Sequence, residues 1–417
     1  MVITFVMDTF GDLNNGTTCT CMRTARVLLS HGHEVRVIAY IPAAAKAKDL
    51  EGYKILRCRK VTVPVFDNLI TKEGMTFADA DEKDIAEFIK GSDIVHCYLP
   101  FLIERKARRV ARVMGIPVTS AMHMQPENVS YALHLGKCTL VNNIIYKLIY
   151  NWMYRYTRHV HTPSEMMKDQ MIKHHYPNAI HAISNGVAPA FIPKPTEKPD
   201  SLKDKYVILM IGRYAGEKRQ DLIIKAIGKS KYNDRIQLIL AGQGPLEKKL
   251  RKLSRKYLKN PCIFGFHAQE DLIPIIRYSD LYIHASDAET EAISCIEAFS
   301  CGKVPIISDS PLSATNHFAL DSRCLFKAGN SDSLRDRIDY FIQHPEVKAT
   351  LEGQYADYGK TFAIDNCVML LEEMFKDEIE DERKDVQEGK VFNTSRKERR
   401  RLKKTAKKIG LAHPIIM

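Results

Sequence analysis

Residues 206–227 read YVILMIGRYAGEKRQDLIIKAI, and this stretch predicts a strand, a loop and a helix in succession. Its first six residues are apolar or aromatic, which is typical of a strand buried on both faces of a parallel sheet. Gly212 and Arg213 begin the loop, and the apolar residues of 221–227 return at helical spacing. A buried strand followed by a helix is the repeating unit of a doubly wound α/β domain.

This alternation of short apolar runs and longer amphipathic segments occurs in two series. The first series places candidate strands at 2–8, 34–40, 93–99, 117–123, 159–164 and 181–185. The second series places them at 206–213, 236–242, 262–266, 281–286 and 304–309. A proline-rich stretch at 193–199 separates the series, because proline cannot continue a central strand or a helix. We therefore predict an α/β fold of two Rossmann-like, doubly wound domains that face each other across a cleft.

The predicted boundaries follow from these series. The first domain spans 1–190 and the second spans 191–360. A helix at 361–378 is expected to pack back towards the first domain. An acid-rich linker and a basic tail fill 379–417.

Composition narrows the class of protein further. The 417 residues are 45% hydrophobic and 27% charged, a globular balance that excludes a disordered chain. No apolar run approaches the roughly 18 residues that cross a bilayer, so we expect a cytoplasmic, non-spanning protein. The net charge of +12 is concentrated between Arg396 and Lys408, where nine basic residues meet one acid, Glu398.

Two loops of the second domain carry candidate chemistry. Arg213 and Lys218 flank a loop that opens a helix, which suits a diphosphate, although a solvated basic loop is the alternative. Glu289 and Glu297 stand eight residues apart, about 12 Å along a helix, so we place Glu289 on a loop and Glu297 on a short helix that ends at Gly302. Glu297 then suits a ribose and Glu289 a hexose, whereas the alternative is charge that faces solvent near a helix start.

An ordered set of short motifs spans nearly the whole globular part. It runs through the loop 11–16, 32–35, 93–96, 115–118 with His123, 162–164, 185–187, 212–218, 242–245 and the E-x7-E pair. In this order the chain resembles the family-4 retaining glycosyltransferases. The resemblance implies the GT-B arrangement, with a nucleotide-diphosphate sugar held by the second domain and an acceptor held mainly by the first. It also implies a retaining, metal-independent hexosyltransferase without a cofactor.

The resemblance assigns roles by position. Arg213 and Lys218 would neutralise the donor diphosphate, Glu297 would hold the ribose, and Glu289 would orient the transferred sugar. His123 and Gly16 would lie on the acceptor side, although a structural histidine is the alternative for His123. The other residues of the implied donor site are Gly212, Gly242, Ala292 and Ile293.

The chain departs from the family pattern at two places. The N-terminal loop has one glycine, Gly16, where relatives often have a pair, which affects the placement of the acceptor. Next to Glu289 the chain has Glu291 and Ala292, where many relatives have a neutral residue and glycine. The Glu291 carboxylate either contacts a sugar hydroxyl or faces solvent.

The acceptor is inferred from charge. The basic tail from Arg396 to Lys408 is expected to hold the enzyme at the inner face of an anionic membrane, which favours a lipid acceptor such as diacylglycerol or a polyprenyl-linked glycan. An aromatic-rich helix at 141–156 suits a bilayer interface or a core-covering position. We expect a UDP-sugar such as UDP-glucose as donor and no nucleic acid. The alternatives are a soluble or polysaccharide acceptor, a nucleotide-sugar 2-epimerase, and an inactive nucleic-acid-binding scaffold.

Overall fold

The structure is a computed structural model that describes residues 1–11, 16–62, 76–127, 130, 138–390 and 392–411. It divides into two compact units. Unit 1 comprises Met1–Pro126, Thr139–Asn185 and Cys367–Met417, and unit 2 comprises Glu127–Cys138 and Gly186–Asn366. Each unit is built on one large parallel sheet, which confirms the predicted α/β class.

The large sheet of unit 1 has seven parallel strands in the order β3-β2-β1-β6-β7-β8-β9. These strands are β1 Val2–Thr9, β2 Glu34–Tyr40, β3 Lys54–Arg57, β6 Ile94–Cys97, β7 Val118–Ala121, β8 His159–Thr162 and β9 Ala179–Ala182. Two short strands, β4 (Arg59–Val61) and β5 (Phe77–Asp79), form a separate antiparallel pair. The helices that precede the unit boundary are α1 Gly16–Ser30, α2 Ala47–Leu50, α3 Glu82–Ile89, α4 Leu102–Met114, α5 Thr139–Trp152 and α6 Glu165–Lys173.

Burial explains which strands of unit 1 the sequence predicted. β1 is paired on both sides and buries seven of its eight residues, so it appears in the sequence as a continuous apolar run. β3 was not predicted, because it lies at the sheet edge and exposes Lys54 and Arg57. β9 begins at Ala179, earlier than the predicted start at 181.

α5 corresponds to the aromatic-rich helix predicted at 141–156. The helix ends at Trp152, and a short 3-10 turn follows at Tyr154–Tyr156. Within α5, Asn142 and Tyr146 are the buried residues. Among the helices in the described part of the chain, none combines the length and the apolar character that a membrane span requires.

Unit 2 repeats the same architecture with six parallel strands in the order β12-β11-β10-β13-β15-β17. These strands are β10 Tyr206–Ile211, β11 Ile236–Ala241, β12 Ile263–Gly265, β13 Leu281–His284, β15 Pro305–Ser308 and β17 Leu325–Phe326. The short strands β14 (Ala288–Glu289) and β16 (Leu312–Ser313) pair with each other. The helices are α7 Gln220–Lys229, α8 Glu247–Tyr257, α9 Gln269–Tyr278, α10 Ile293–Ser300, α11 Ser331–Gln343 and α12 Pro345–Gly359.

The main segment of unit 2 begins at Gly186, a few residues before the predicted boundary at 190, and ends at Asn366 rather than at 360. Gly186 has a φ of +71°, and a Cβ there would lie 2.6 Å from the Cα of Ile364. The backbone of Val187 bonds to this same segment, since its N–H donates to the Phe362 carbonyl at 2.8 Å. A glycine is therefore required where this segment runs alongside the backbone of residues 362–364.

The C-terminal residues differ from the predicted helix, linker and tail. Helix α13 runs over Ile364–Gln387, through the acid-rich segment that was expected to be an exposed linker. Two of its acids pair with a residue that is far away in sequence. Arg158 forms ion pairs with Asp381, at 3.2 Å, and with Asp385. Such contacts cannot be read from local composition.

The basic segment is also a helix, α14 Arg396–Lys408, and it packs on α4 in unit 1. Its apolar residues Leu402 and Ala406 bury against Val113. Glu398 forms an ion pair with Arg108, and both side chains are only 1% exposed. The segment predicted as a basic tail is therefore a packed helix, held by one buried acid, Glu398, and by the apolar contacts of Leu402 and Ala406.

The Arg108–Glu398 pair predicts a measurable contribution to stability. Glu398→Ala leaves the Arg108 guanidinium buried without its carboxylate, which costs about 3 kcal/mol, so the thermal unfolding midpoint is expected to fall by about 5 °C or more. The control is Glu388→Ala, which removes an acid that is 56% exposed. Equal midpoints for the two variants would contradict this assignment.

Candidate active site

Two glycine loops meet at the carboxyl end of the unit 2 sheet. Gly212 follows β10 and Gly242 follows β11, and a Cβ on Gly242 would lie 2.1 Å from the Gly212 carbonyl oxygen. The loops are joined by a hydrogen bond from the Tyr214 N–H to the Gln243 carbonyl at 3.0 Å. Gly244 is equally confined, since its Cβ would lie 2.7 Å from the Tyr214 nitrogen. Only glycine allows the two loops to approach so closely. The approach places backbone groups at the carboxyl end of the sheet, where ligands of α/β proteins bind.

The structure brings Lys218 and Glu289 together. Lys218 ends the 3-10 turn Gly216–Lys218, and Glu289 lies in the short strand β14. The Lys218 Nζ forms an ion pair with Glu289 Oε2, and both side chains are mostly buried. His284, the last residue of β13, places its Nε2 3.3 Å from the same carboxylate oxygen. We call these three residues the Lys218 cluster.

The charges of the Lys218 cluster are fixed by its own contacts. Burial alone would raise the pKa of Glu289, but the Lys218 charge and the His284 hydrogen bond outweigh burial and hold this pKa at about 2. Burial lowers the pKa of His284, and the nearby Glu289 offsets this only in part. At neutral pH the cluster therefore contains an ionised carboxylate beside a neutral imidazole.

His284 was not among the sequence-predicted site residues. Its Nδ1 lies 3.2 Å from the Tyr282 hydroxyl, and its Nε2 lies 3.1 Å from the Ser286 hydroxyl. The Tyr282 hydroxyl also lies 3.1 Å from the Ser294 hydroxyl, at the start of α10. A signal was present in the sequence, because polar side chains at 282, 284 and 286 alternate and so share one face of a strand.

Glu297 lies where it was predicted, on the short helix α10, and it is buried at 6% exposure. α10 begins at Ile293, and Ala292 before it has a φ of 67°, a left-handed conformation that favours glycine. This explains why a glycine would suit that position. Glu291 is 2% exposed, so the alternative that it faces solvent was wrong. Gly302 closes the helix with a φ of +75°.

Arg213 follows Gly212, and its backbone carbonyl accepts a hydrogen bond from the Gln220 side chain at 2.8 Å. This contact ties the loop to the first residue of α7. The neighbouring Arg219 has a φ of 55° and forms ion pairs with Asp287 at 3.0 Å and Asp221 at 3.2 Å. Arg219 therefore has two carboxylate partners within unit 2, which hold it in the loop.

The predicted acceptor-side residues lie in unit 1. His123 comes two residues after β7, where its ring stacks on Tyr98 at 5.4 Å and meets the edge of His161 at 5.0 Å. Its Nε2 is buried and has no hydrogen-bond partner among the described residues. Burial lowers the pKa of His123 well below its ordinary value, and His161 and His96 add to the effect. His123 is therefore a neutral imidazole with one unused polar atom.

Gly16 is the first residue of α1, and it is exposed. A Cβ there would meet no atom of the described chain within 4 Å. The space beside this helix start therefore stays open, as a close backbone approach would require. Residues 12–15 of the same predicted loop lie outside the described residues.

Comparisons with known proteins cover both units. Residues 14–191 match the model of Glycosyltransferase Family 4, and residues 193–359 match the model of Glycosyl transferases group 1. A GDP-mannose-dependent alpha-mannosyltransferase of Corynebacterium glutamicum is 25% identical over 74% of this chain and 72% of that protein. An alpha-monoglucosyldiacylglycerol synthase of Acholeplasma laidlawii is 23% identical over 88% of this chain and 95% of that protein.

A solved structure extends the likeness to the fold. The crystal structure of Anabaena HepE in complex with UDP and glucose is 16% identical, covers 90% of this chain and 100% of that chain, and gives a TM-score of 0.68. The two family models and the two parallel-sheet units agree on the same assignment. The chain belongs to the family 4 glycosyltransferases, with the GT-B fold.

Proposed function

We propose that the protein transfers a hexose from a UDP-sugar to a lipid acceptor in a membrane leaflet, with retention of configuration and without a metal ion. The observation that carries this proposal is the Lys218 cluster, which sets a cation, an ionised carboxylate and a neutral imidazole side by side at the carboxyl end of the unit 2 sheet. The nucleotide sugar is a co-substrate, and we propose no further cofactor.

The glycine loops and the cations favour a diphosphate. Gly212 and Gly242 keep side chains out of the loop crossing, so no side chain at these two positions blocks the approach of an anion to the loops. Arg213 and Lys218 supply positive charge where the leaving diphosphate gains negative charge. The buried carboxylate of Glu297, on α10, is proposed to accept hydrogen bonds from the ribose diol.

The Lys218 ammonium group is proposed to contact the diphosphate while it stays paired with the Glu289 carboxylate. In this structure the ammonium group is paired with that carboxylate, while the carboxylate keeps a second contact from His284. An ammonium group has three donors, so Lys218 can contact a phosphate oxygen and Glu289 together. Glu289 is thereby held in place to accept hydrogen bonds from the sugar hydroxyls.

In the proposed step the bond between the anomeric carbon and the diphosphate oxygen breaks, and its electron pair leaves with the diphosphate. A bond between the anomeric carbon and the acceptor oxygen forms on the same face of the sugar. The proton of the acceptor hydroxyl passes to the departing diphosphate. Arg213 and Lys218 stabilise the charge that develops, and this is the interaction expected to be strongest in the transition state.

The relatives support the choice of substrates to different degrees. The A. laidlawii relative is named for synthesis of monoglucosyldiacylglycerol, which supports a lipid acceptor. Peripheral association with the inner face of a membrane is proposed from the basic residues of α14. HepE was crystallised with UDP and glucose, which supports a uridine donor. The C. glutamicum relative is named for GDP-mannose, so GDP-mannose is the second candidate donor.

The test is release of nucleoside diphosphate from UDP-glucose, UDP-galactose or GDP-mannose, with and without diacylglycerol in neutral detergent micelles. The proposal predicts release that requires one UDP-sugar and the lipid together. Release from GDP-mannose alone among the donors would favour the second candidate. Conversion of a donor without release of nucleotide would indicate an epimerase, and no activity alongside tight binding of single-stranded RNA would indicate an inactive scaffold.

Lys218→Ala is expected to lower kcat by about 100-fold or more, because it removes a cation from the leaving group. The matched control is Lys225→Ala, which removes a lysine that pairs with Asp221 on α7. Nucleoside-diphosphate release under saturating donor measures both. Equal kcat values for the two variants would contradict the role of Lys218.

Glu297→Ala is expected to raise the KM for the donor with a smaller effect on kcat, because the ribose is bound equally in the ground state and the transition state. Glu346→Ala, which removes a glutamate that is 67% exposed, is the control. Donor titrations at saturating acceptor separate the two constants. An unchanged KM in Glu297→Ala would overturn the assignment of the ribose to this carboxylate.

The pKa of Glu289 predicts a pH-dependent contribution to stability. Its folded pKa of about 2 lies below its ordinary value of 4.5, so its contribution is present above about pH 4.5 and is lost as the pH falls towards 2. Glu289→Gln is therefore expected to lower the thermal midpoint at pH 7 and to lower it much less at pH 3. If the difference in thermal midpoint between variant and wild type stays constant from pH 7 to pH 3, the neighbours of Glu289 do not lower its pKa.

A further inference from the structure

A basic cavity lies in unit 1 at the surface where helices α3, α4 and α14 meet. Its volume is about 220 Å³. Five of the side chains that line it are cations and one is an acid: Arg105, Arg109, Arg401, Lys404, Lys408 and Glu82. We call it the α14 cavity. The α14 residues 401, 404 and 408 follow helical spacing, so one face of the basic helix supplies three of its cations.

The positive charge of the α14 cavity is only partly compensated. Glu82 lies 3.8 Å from the Arg109 guanidinium and 3.3 Å from the Lys408 ammonium group, and Glu398, which also pairs with Arg108, lies 3.7 Å from the Arg401 guanidinium. Arg105 has no carboxylate within ion-pair distance among the described residues, and its Nε is buried without a hydrogen-bond partner there. Burial lowers the pKa of Arg105 to about 10, and the neighbouring Arg109 and Arg401 contribute. Arg105 nevertheless remains charged at neutral pH, so the cavity carries a net positive charge that an anion would relieve.

An exposed apolar stripe lies beside this cavity on α5. Leu140, Ile144, Leu148 and Trp152 recur every fourth residue and are 69%, 50%, 63% and 37% exposed. The buried residues of α5, Asn142 and Tyr146, lie between them in sequence and occupy the other face. α5 therefore does not use its most apolar face to cover the core of unit 1.

The stripe and the cavity are joined by one contact. The Arg105 guanidinium lies over the Trp152 ring, 3.7 Å from the ring centroid. Leu102, which is 44% exposed, precedes Arg105 by three residues on α4 and so shares its helix face. Exposed apolar side chains and basic side chains thus lie side by side on unit 1.

We propose that the α14 cavity binds the phosphate headgroup of an anionic membrane lipid while the α5 stripe enters the interface of the same leaflet. The inference rests on the proposed function, in that a lipid acceptor requires the enzyme to reach a membrane. Guanidinium groups match phosphate oxygens in pairs, and tryptophan settles at headgroup level. A free phosphate compound would use the cations and would leave the apolar stripe without a role.

This site lies apart from the donor machinery in sequence. Its α14 residues follow position 359, where the second family model ends. Within α14 the apolar and basic residues have different positions. Leu402 and Ala406 anchor the helix, whereas Arg401, Lys404 and Lys408 line the cavity. Membrane binding is therefore expected from a specific surface, not from total charge.

The test is sedimentation of the full chain with vesicles of phosphatidylcholine alone and of phosphatidylcholine with phosphatidylglycerol. Arg105→Gln/Lys404→Ala is expected to weaken binding to the anionic vesicles by about tenfold or more. The matched control is Arg255→Gln/Lys252→Ala, which removes the same residue types from the exposed face of α8 in unit 2 and is expected to bind like wild type. Leu140→Gln/Leu148→Gln is expected to weaken binding as well, with an unchanged thermal midpoint because both residues are exposed.

Three results would overturn the proposal. The first is equal binding of the cavity variant and the α8 control to anionic vesicles. The second is binding of glycerol phosphate or single-stranded RNA by wild type without any binding to vesicles. The third is a stripe variant that binds anionic vesicles as tightly as wild type.

A further assay separates this proposal from the proposed function. With diacylglycerol in neutral detergent micelles, the cavity variant is expected to release nucleotide at the wild-type rate, because no anionic leaflet is involved. A loss of activity in micelles for both wild type and variant would count against the proposed acceptor and leave the vesicle result to judge the cavity.

Discussion

The ion pair between Lys218 and Glu289 is the interaction on which the candidate site of unit 2 is built. It connects the loop after β10 to the short strand after β13, two segments whose parent strands are neighbours in the sheet. The pair keeps Glu289 ionised inside the protein, and it keeps Lys218 close to the glycine loops. Without it, the buried carboxylate would favour its neutral form, because burial raises the pKa of an acid. The same contact therefore fixes both the geometry and the charge of the candidate site.

Strongly apolar elements were predicted well from the sequence. Every strand of the two predicted series is present, and α10 with Glu297 lies where the spacing of the two glutamates placed it. These predictions succeeded because parallel strands buried on both faces leave a local signal in composition. β3 and β17 were missed, since they are short strands at the sheet edges.

Contacts between residues distant in sequence account for the remaining differences. The acid-rich part of α13 is held by an ion pair with Arg158. The helix α14 is anchored by the ion pair between Glu398 and Arg108. Similarly, the role of His284 depends on Glu289 and Ser286 being folded against its ring. Composition identified these segments as charged or polar, but their partners come from other elements and have no local pattern.

The proposed reaction forms a glycolipid with retention of configuration. The most direct measurement is the anomeric configuration of the product made from UDP-glucose and diacylglycerol, determined by proton NMR from the coupling of the anomeric hydrogen. Because the donor sugar is α-linked to its diphosphate, retention gives an α-linked glucolipid. A β-linked product would contradict retention, and free glucose as the only sugar product would contradict the lipid acceptor.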